Sequence, residues 1–172
     1  MNIKYFSNPW PYAIVDDFLP QELLDEVMEI YNTYDITYTS TGVYSSSIRE
    51  PLNSQITEVA KEFINKAFNK LNISNRKGSL EKIRNLLVFR TPHHQYYIHV
   101  DSPEKLLSIV VYLVPTNADG TIIHNTDQSY SHDIKWRVNR ALAFVPSEDT
   151  WHSIDSKVPT DRITLNISVM ID

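Results

Sequence analysis

The sequence predicts a single, mainly β domain in which helices precede an antiparallel sheet. Short β-like runs fill the chain from Leu80 onward, and turn residues rather than helical stretches separate them. This order favours an antiparallel barrel or sandwich over a parallel α/β sheet. The 172 residues suffice for one domain with its own core and are short for two. We therefore expect one domain over 1–172, with a helical support region in 1–78 and a strand-rich core in 79–172.

Two amphipathic stretches form the predicted helical region. The first begins at Pro20-Gln21-Glu22 and runs to about Tyr31, with proline and an acidic residue in the first turn, where both are favoured. In the second, apolar residues recur every three or four positions, as on one face of a helix. They are Ile56, Val59, Ala60, Phe63, Ile64, Ala67, Phe68 and Leu71. The simplest interpretation is a helix that backs a sheet.

Six short runs are the predicted strands: 82–90, 96–101, 106–114, 121–123, 136–145 and 162–171. The last one alternates strictly. Its aliphatic positions are Ile163, Leu165, Ile167, Val169 and Ile171, and between them lie Arg162, Thr164, Asn166, Ser168 and Met170. The mostly polar face either meets solvent or lines a wet cavity, and periodicity alone favours solvent.

Two polar segments are predicted as long connections. Residues 37–47 are rich in hydroxyl groups and tyrosine, and residues 115–133 are long for a loop in a compact domain. Loops of this kind often close over functional sites, and a plain surface excursion is the alternative.

Composition excludes several functional classes. The chain has no cysteine, which removes disulfides, thiolate metal sites and cysteine nucleophiles. Gly42, Gly78 and Gly120 are its only glycines, too far apart for the phosphate-binding loops that need clustered glycine. A net charge of -5 argues against a nucleic-acid partner. Without an apolar stretch of signal-peptide or membrane-span length, we expect a cytoplasmic protein with no membrane partner. The sequence carries no signal for an oligomeric state.

A candidate metal site follows from three residues. His99 and Asp101 lie two positions apart in a strand-like run, so their side chains should project to the same face. His152 follows an apolar run and a polar turn, and an antiparallel arrangement could bring it to the same place. Two histidines and one carboxylate form the facial triad of non-haem iron(II) oxygenases, which leaves three coordination positions open. A surface His–Asp pair and a partly buried turn histidine are the structural alternatives.

A candidate anion site lies at the start of the last strand. The guanidinium of Arg162 can bind a carboxylate in bidentate fashion, and Thr164 points the same way with a hydroxyl group. Together they could hold the far carboxylate of a dicarboxylic acid whose other end chelates the metal. For an isolated arginine, a solvated surface charge would be the simpler explanation.

With these residues in order, the sequence resembles the 2-oxoglutarate- and Fe(II)-dependent oxygenases, in particular the prolyl 4-hydroxylase-like branch. Three segments carry the resemblance and cover most of the chain: PYAIVDDFLPQELLDEV, QYYIHVDSPEKLLSIVVYLVP and RALAFVPSEDTWHSIDSKVPTDRITLNISV. In the last, a histidine is followed ten positions later by a basic residue. The resemblance implies a double-stranded β-helix (jelly-roll) core, and it moves the expected polar face of the last strand from solvent to a cavity.

The resemblance also implies roles for individual residues. His99, Asp101 and His152 would bind Fe(II), and Arg162 would bind the distal carboxylate of 2-oxoglutarate. Thr121 falls where the family often has a threonine that helps hold this carboxylate, and Tyr96 matches a frequent tyrosine near the substrate. Dioxygen would be the second co-substrate.

Three positions depart from the family pattern. Arg90 stands where a tyrosine is common nine residues before the first metal ligand, His93 replaces the usual glycine, and Arg162 stands where collagen-type enzymes have lysine. These departures concern the substrate rather than the cofactors. Arg90 and Tyr96 are therefore candidate substrate contacts. Trp136, between Lys135 and Arg137, is a third candidate substrate contact. The alternative explanation is that these residues only form a charged cluster at the end of a strand.

The function we expect is hydroxylation of a protein or peptide side chain, with release of succinate and carbon dioxide. A free amino acid or other small molecule is the alternative substrate. Two rival classes stay open: a catalytically silent jelly-roll binding module, and a cupin-like metalloenzyme that uses His93 or His94 as an extra ligand without 2-oxoglutarate.

Overall fold

The computed structural model describes residues 1–33, 41–67, 69–73, 82–157 and 159–171. This part of the chain forms two helices and eleven strands in two antiparallel sheets. In chain order the elements are β1 (Asn2–Phe6), β2 (Tyr12–Asp16), α1 (Gln21–Tyr31), β3 (Val43–Ser47), α2 (Leu52–Ala67), β4 (Ile83–Arg90), β5 (Gln95–His99), β6 (Lys105–Val114), β7 (Ile122–His124), β8 (Tyr130–Asp133), β9 (Ala141–Phe144), β10 (His152–Asp155) and β11 (Arg162–Met170).

The larger sheet has seven strands in the order β1-β2-β9-β6-β11-β4-β3. Within this sheet, β11 pairs with β4 on one side and with β6 on the other. The aliphatic face of β11 is buried with apolar residues of both helices, such as Phe63 and Leu24, in one continuous core. Burying these side chains supplies most of the driving force for folding, at about 25 cal/mol per Å² of apolar surface.

The smaller sheet has four strands in the order β5-β10-β7-β8. Residues of both sheets meet in a second apolar cluster, which includes Ile123 of β7, Tyr112 of β6 and Phe144 of β9. One face of the larger sheet, which carries the aliphatic residues of β11, packs on the helices. The other face meets the smaller sheet, so the polar residues of β11 can line a cavity between the two sheets.

Both predicted helices are present. α1 has the predicted limits, with Pro20 as its N-cap residue. α2 begins four residues before Ile56 and ends at Ala67, so Leu71 is buried in the turn that follows the helix. Phe68 lies outside the described residues.

The predicted connections contain strands. Residues 43–47 of the segment 37–47 form β3, and residues 37–40 lie outside the described part. β3 is an edge strand paired only with β4, and its serines stay partly in water, so its composition resembles that of a loop. The segment 115–133 likewise contains β7 and β8. The first part of the chain, expected to be helical, also contributes β1, β2 and β3 to the larger sheet.

Two predicted strands are shorter than expected. β5 ends at His99, so Asp101 follows the strand instead of lying within it. β9 covers only four residues of the run 136–145, because the chain turns at Arg137–Arg140 and Asn139 takes a left-handed conformation with φ of 63°. Among the described residues, no helix is long and apolar enough to cross a membrane.

Candidate metal and anion site

The smaller sheet brings the three predicted metal ligands together. β5 and β10 pair antiparallel with His99 directly opposite His152, and Asp101 follows two residues after β5 ends. The Nε2 atom of each histidine lies 3.9 Å from Oδ1 of Asp101. One ligand atom from each residue lies within 4.8 Å of the other two, and no other such group occurs in the described part of the chain. This group could hold a divalent first-row metal.

Backbone carbonyl groups fix the orientation of both imidazole rings. Nδ1 of His99 is 2.9 Å from the carbonyl oxygen of Tyr97, and Nδ1 of His152 is 3.0 Å from that of Thr150. A carbonyl oxygen can only accept a hydrogen bond, so each Nδ1 carries the hydrogen and each Nε2 presents a lone pair toward Asp101. Histidines that bind metals in proteins are usually oriented in this way.

Burial keeps both histidines uncharged at neutral pH. It lowers the pKa of His152 to about 4, with a further contribution from His99 nearby. Burial is also the main reason why the pKa of His99 lies below its ordinary value. A metal binds the neutral imidazole, so the protein holds both rings in the protonation state that binding requires.

The carboxylate of Asp101 is oriented by two donors. Its Oδ2 accepts hydrogen bonds from Nζ of Lys105 at 3.0 Å and from Oγ of Ser108 at 2.5 Å. Burial acts to raise the pKa of Asp101, but the charge of Lys105 and these hydrogen bonds outweigh it and hold the pKa below its ordinary value. Asp101 is therefore ionised, and its Oδ1 faces the two histidines.

Arg162 is fully buried at the start of β11, with 0% of its surface exposed. None of its three guanidinium nitrogens has a hydrogen-bond partner among the described residues. The guanidinium carbon lies 4.9 Å from the centre of the Trp136 ring. Burial and the neighbouring Arg90 lower its pKa to about 9, so the group is still charged at neutral pH. A buried cation without a partner is costly, and a bound carboxylate would satisfy it.

One cavity of about 220 Å³ joins the two groups. Its walls include the three potential metal ligands and Arg162. The polar face of β11 contributes Asn166 and Ser168, so the cavity-lining interpretation of that strand is confirmed and the solvent interpretation is wrong. A molecule in this cavity could contact a metal at one end and a guanidinium at the other.

The two predicted threonines lie at the guanidinium end. Thr121 lines the cavity, and its hydroxyl oxygen accepts a hydrogen bond from the hydroxyl group of Tyr112 at 2.9 Å. Thr164 is buried behind the lining and donates to Oδ1 of Asn166 at 2.8 Å. Gly120 precedes Thr121 where the backbone of Ile134 passes so close that any Cβ atom would overlap its carbonyl oxygen.

The three candidate substrate contacts lie in different places. Arg90 and Tyr96 line the cavity, and the Tyr96 ring packs edge-on against His99 with 4.2 Å between ring centres. Trp136 is not part of the lining. It stacks on Tyr112 behind Arg162, and its indole N–H donates to the carbonyl oxygen of Pro115 at 2.6 Å.

His93 and His94 are outside the group of potential metal ligands. His93 is exposed and has a φ of 56°, a left-handed conformation that glycine adopts most easily. The cupin-like alternative, which needs one of these histidines as a ligand, gains no support from this geometry.

The sequence analysis missed Lys105, Ser108 and Tyr112. The first two hold Asp101, and the third contacts Thr121. A signal was present, because Ser108 and Tyr112 are polar residues on the same face of an otherwise apolar run. On a strand, such a face meets a polar cavity more often than an apolar core.

No protein-family model matches the sequence, and no curated protein matches it. Solved structures share its fold. A Pseudomonas putida prolyl 4-hydroxylase superposes with a TM-score of 0.72 at 13% identity, over 94% of this chain and 92% of that one. The viral collagen prolyl hydroxylase of Paramecium Bursaria Chlorella virus-1, in a 2-oxoglutarate complex, has a TM-score of 0.64 at 16% identity, over 94% and 96% of the two chains.

A third structure is the Trichoplax adhaerens prolyl hydroxylase in complex with a peptide fragment of the hypoxia inducible factor oxygen degradation domain. Its TM-score is 0.64 at 12% identity, over 93% of this chain and 83% of that one. At these identities the likeness shows the fold. The chain has the fold of prolyl hydroxylases, and the resemblance seen in the sequence is confirmed at that level.

Proposed function

We propose that the protein is an Fe(II)- and 2-oxoglutarate-dependent dioxygenase that hydroxylates a side chain of a protein or peptide. The observation that carries the proposal is one cavity with His99, Asp101 and His152 at one end and the unpartnered, buried Arg162 at the other. In this proposal residues 1–172 form a single domain with a jelly-roll core in 79–172, supported by 1–78.

The metal end fits Fe(II). Two neutral imidazoles and one carboxylate are the donor set of non-haem iron(II) oxygenases, and they leave open positions for other ligands. Fe(II) with 2-oxoglutarate and dioxygen supplies the oxidation: one oxygen atom enters succinate as carbon dioxide leaves, and the other converts a substrate C–H bond into C–OH. The protein contributes the orientation of the rings through the carbonyl groups of Tyr97 and Thr150, and that of Asp101 through Lys105 and Ser108.

The guanidinium end fits the distal carboxylate of 2-oxoglutarate. Arg162 has no solvent-exposed surface, and its three guanidinium nitrogens have no partner among the described residues. Charge-assisted hydrogen bonds of this kind are about twice as strong as neutral ones. Thr121 adds a hydroxyl group to the cavity lining, Thr164 accepts a hydrogen bond from Arg90 behind the lining, and the Trp136 ring packs against the guanidinium of Arg162. These residues would hold the co-substrate with its 2-oxo acid end toward the metal ligands.

Exposed aromatic surface beside the metal ligands favours a peptide substrate. Tyr97 of β5 is 83% exposed, and its neighbours Tyr96 and Ile98 are also exposed. β5 is an edge strand of the smaller sheet and ends at His99. Exposed apolar side chains on a strand edge invite pairing with another chain, and proteins keep them where they bind a partner. An extended peptide along this edge would pass the metal ligands.

Succinate formation tests the activity. Protein supplied with Fe(II), 2-oxoglutarate and dioxygen should release succinate, and Asp101→Ala should abolish this release. Asp133→Ala changes an exposed carboxylate of the same sheet and should leave it intact. Equal succinate release from Asp101→Ala and wild type would refute the assigned ligands. A folded protein that binds no iron would instead be a silent jelly-roll module.

Two tyrosines of the smaller sheet test the substrate class. Tyr97→Ala should raise the KM for a peptide substrate about tenfold, since a contact of about 1.4 kcal/mol changes affinity by that factor. Uncoupled succinate release should not change, because the carbonyl group that holds His99 is retained. Tyr130→Ala is the matched control, since Tyr130 is 63% exposed at the far edge of the sheet. Hydroxylation of a free amino acid with no effect of Tyr97→Ala would favour the small-molecule alternative.

A further inference from the structure

Arg90 and Arg162 form an unusual pair of buried like charges. They end β4 and begin β11, where they lie directly opposite each other in the antiparallel register. Arg90 is 9% exposed and Arg162 is 0% exposed. Directly opposite side chains on a sheet share one face, with Cβ atoms about 5 Å apart, and like charges there destabilise the sheet. The fold keeps both guanidinium groups in this position.

Among the described residues, no carboxylate forms an ion pair with either arginine. Arg162 has three unpartnered nitrogens, and the Nε atom of Arg90 is also buried without a partner among the described residues. Among the described residues, the one side-chain hydrogen bond of Arg90 runs from Nη1 to the hydroxyl oxygen of Thr164 and is long, at 3.4 Å. The carboxylate of Asp101 is the only one in the described cavity lining, and it is held by Lys105 and Ser108.

The position of Thr164 shows which way Arg90 extends. Thr164 lies two residues after Arg162 on β11, so both side chains point to the same face of the strand. Because Nη1 of Arg90 reaches Thr164, the Arg90 guanidinium lies across β11 beside the side chain of Arg162. Both guanidinium groups therefore border the same end of the cavity. An anion placed there can accept hydrogen bonds from both.

We propose that Arg90 and Arg162 bind one carboxylate group between them, the distal carboxylate of 2-oxoglutarate. Arg90 then binds the co-substrate and does not contact the peptide substrate. This inference rests on the proposed function. It also explains why two like charges are buried together: the arrangement is complete only when the anion is bound, so the site selects a dicarboxylate over a monocarboxylate.

Calorimetric binding to the Fe(II)-loaded protein without oxygen tests the inference. The probes are 2-oxoglutarate and 2-oxopentanoate, which has the same chain length and lacks the distal carboxylate. Arg90→Met should weaken 2-oxoglutarate binding about tenfold to hundredfold, the effect of losing a buried charge-assisted hydrogen bond. Binding of 2-oxopentanoate should change less than about twofold. Arg90→Lys keeps the charge without the planar fork and should fall between Arg90→Met and wild type.

Thermal unfolding gives a second readout. Without ligand, Arg90→Met should melt at or above the temperature of the wild type, because it removes the repulsion between two buried charges. Added 2-oxoglutarate should raise the melting temperature of the wild type more than that of the variant. Weaker binding combined with a lower ligand-free melting temperature would make Arg90 a structural residue and would overturn the inference.

Arg162→Met separates failure of the inference from failure of the proposed function. If Arg162→Met weakens 2-oxoglutarate binding and Arg90→Met does not, only the inference is wrong, and Arg90 is free to contact the substrate. If neither variant changes the binding, 2-oxoglutarate does not occupy this end of the cavity and the proposed function fails as well.

Discussion

The two ends of the cavity differ in how fully the protein provides hydrogen-bond partners for their polar side chains. At the metal end every ligand is oriented by a hydrogen bond to the protein: two carbonyl groups hold the histidines, and two donors hold Asp101. At the arginine end the buried guanidinium nitrogens of Arg162 have no hydrogen-bond partner in the part of the chain that the structure describes. The candidate metal ligands are thus held in place by the protein itself, whereas Arg162 would gain hydrogen-bond partners from a bound anion.

This difference has a physical reason. Metal ligands must be held in one geometry, and the groups that orient them do not compete with the metal, because Nδ1 and Oδ2 are not the atoms that face it. A guanidinium that formed ion pairs within the protein would have fewer donors left for a ligand. Leaving Arg162 unpaired costs stability in the empty protein and makes its donors available to the anion.

Arg162→Met tests the arginine end most severely. It should weaken 2-oxoglutarate binding by about three orders of magnitude, since loss of one partner of a buried charge pair costs about 2–5 kcal/mol. The ligand-free protein should become more stable, by about 1–4 kcal/mol, because an unpaired buried charge is removed. Calorimetry and denaturant unfolding measure the two effects. A variant that is less stable without ligand would show that Arg162 is satisfied within the fold.

The pH dependence of stability tests the metal end. The pKa of His152 is about 4 in the folded protein against an ordinary value of 6.5, so the unfolded chain binds more protons between these values. The contribution of His152 to the free energy of unfolding of the metal-free protein is therefore fully present above pH 6.5. It falls by about 3 kcal/mol as the pH drops toward 4. Denaturant unfolding of the wild type and of His152→Gln measures it. An equal pH dependence in both proteins would contradict the buried, neutral histidine.

Gly120→Ala tests the packing that supports Thr121. A Cβ atom there would lie 1.7 Å from the carbonyl oxygen of Ile134, so one of the two segments must move. The expected loss of stability is about 2 kcal/mol, as for other overpacked positions. 2-Oxoglutarate binding should weaken while iron binding does not, because the displaced residues lie at the arginine end. Asn117→Ala, at an exposed position of the same segment, is the control and should change neither.

Ser108→Ala gives the smallest expected effect. It removes one of the two donors to Oδ2 of Asp101 and should weaken iron binding about tenfold, the lower limit for loss of a group that orients a ligand. Ser168→Ala is the matched control, because Ser168 lies opposite Ser108 in the pairing of β6 with β11 and also lines the cavity. Equal iron affinity in the two variants would show that Lys105 alone orients Asp101.

Much of this architecture was predictable from the sequence. An amphipathic run with helix-start residues located α1, and spacing at three and four residues located α2. Short apolar runs between turn residues located β4 and β6, and strict alternation located β11, whose aliphatic face is buried. The proximity of His99 and His152 followed from an antiparallel arrangement, and the structure pairs the two residues directly. The periodicity of β11 could not decide whether its polar face meets solvent or a cavity, since both environments are wet.

Other features depend on tertiary contacts that local patterns do not encode. β3 and β8 have loop-like compositions and become strands only by pairing with a neighbour. The opposition of Arg90 and Arg162 depends on the register between β4 and β11, which no local pattern of either strand contains. Trp136 was predicted from its charged neighbours as a substrate contact, and its ring lies instead behind Arg162.

The most direct test of the account is visible absorbance of the metal-free protein without oxygen, as Fe(II) and then 2-oxoglutarate are added. We expect a weak metal-to-ligand charge-transfer band that appears only when both are present. The band should be absent in Asp101→Ala and should need far more 2-oxoglutarate in Arg162→Met. Iron binding without any band after 2-oxoglutarate is added would contradict the claim that one cavity holds the metal and the dicarboxylate together.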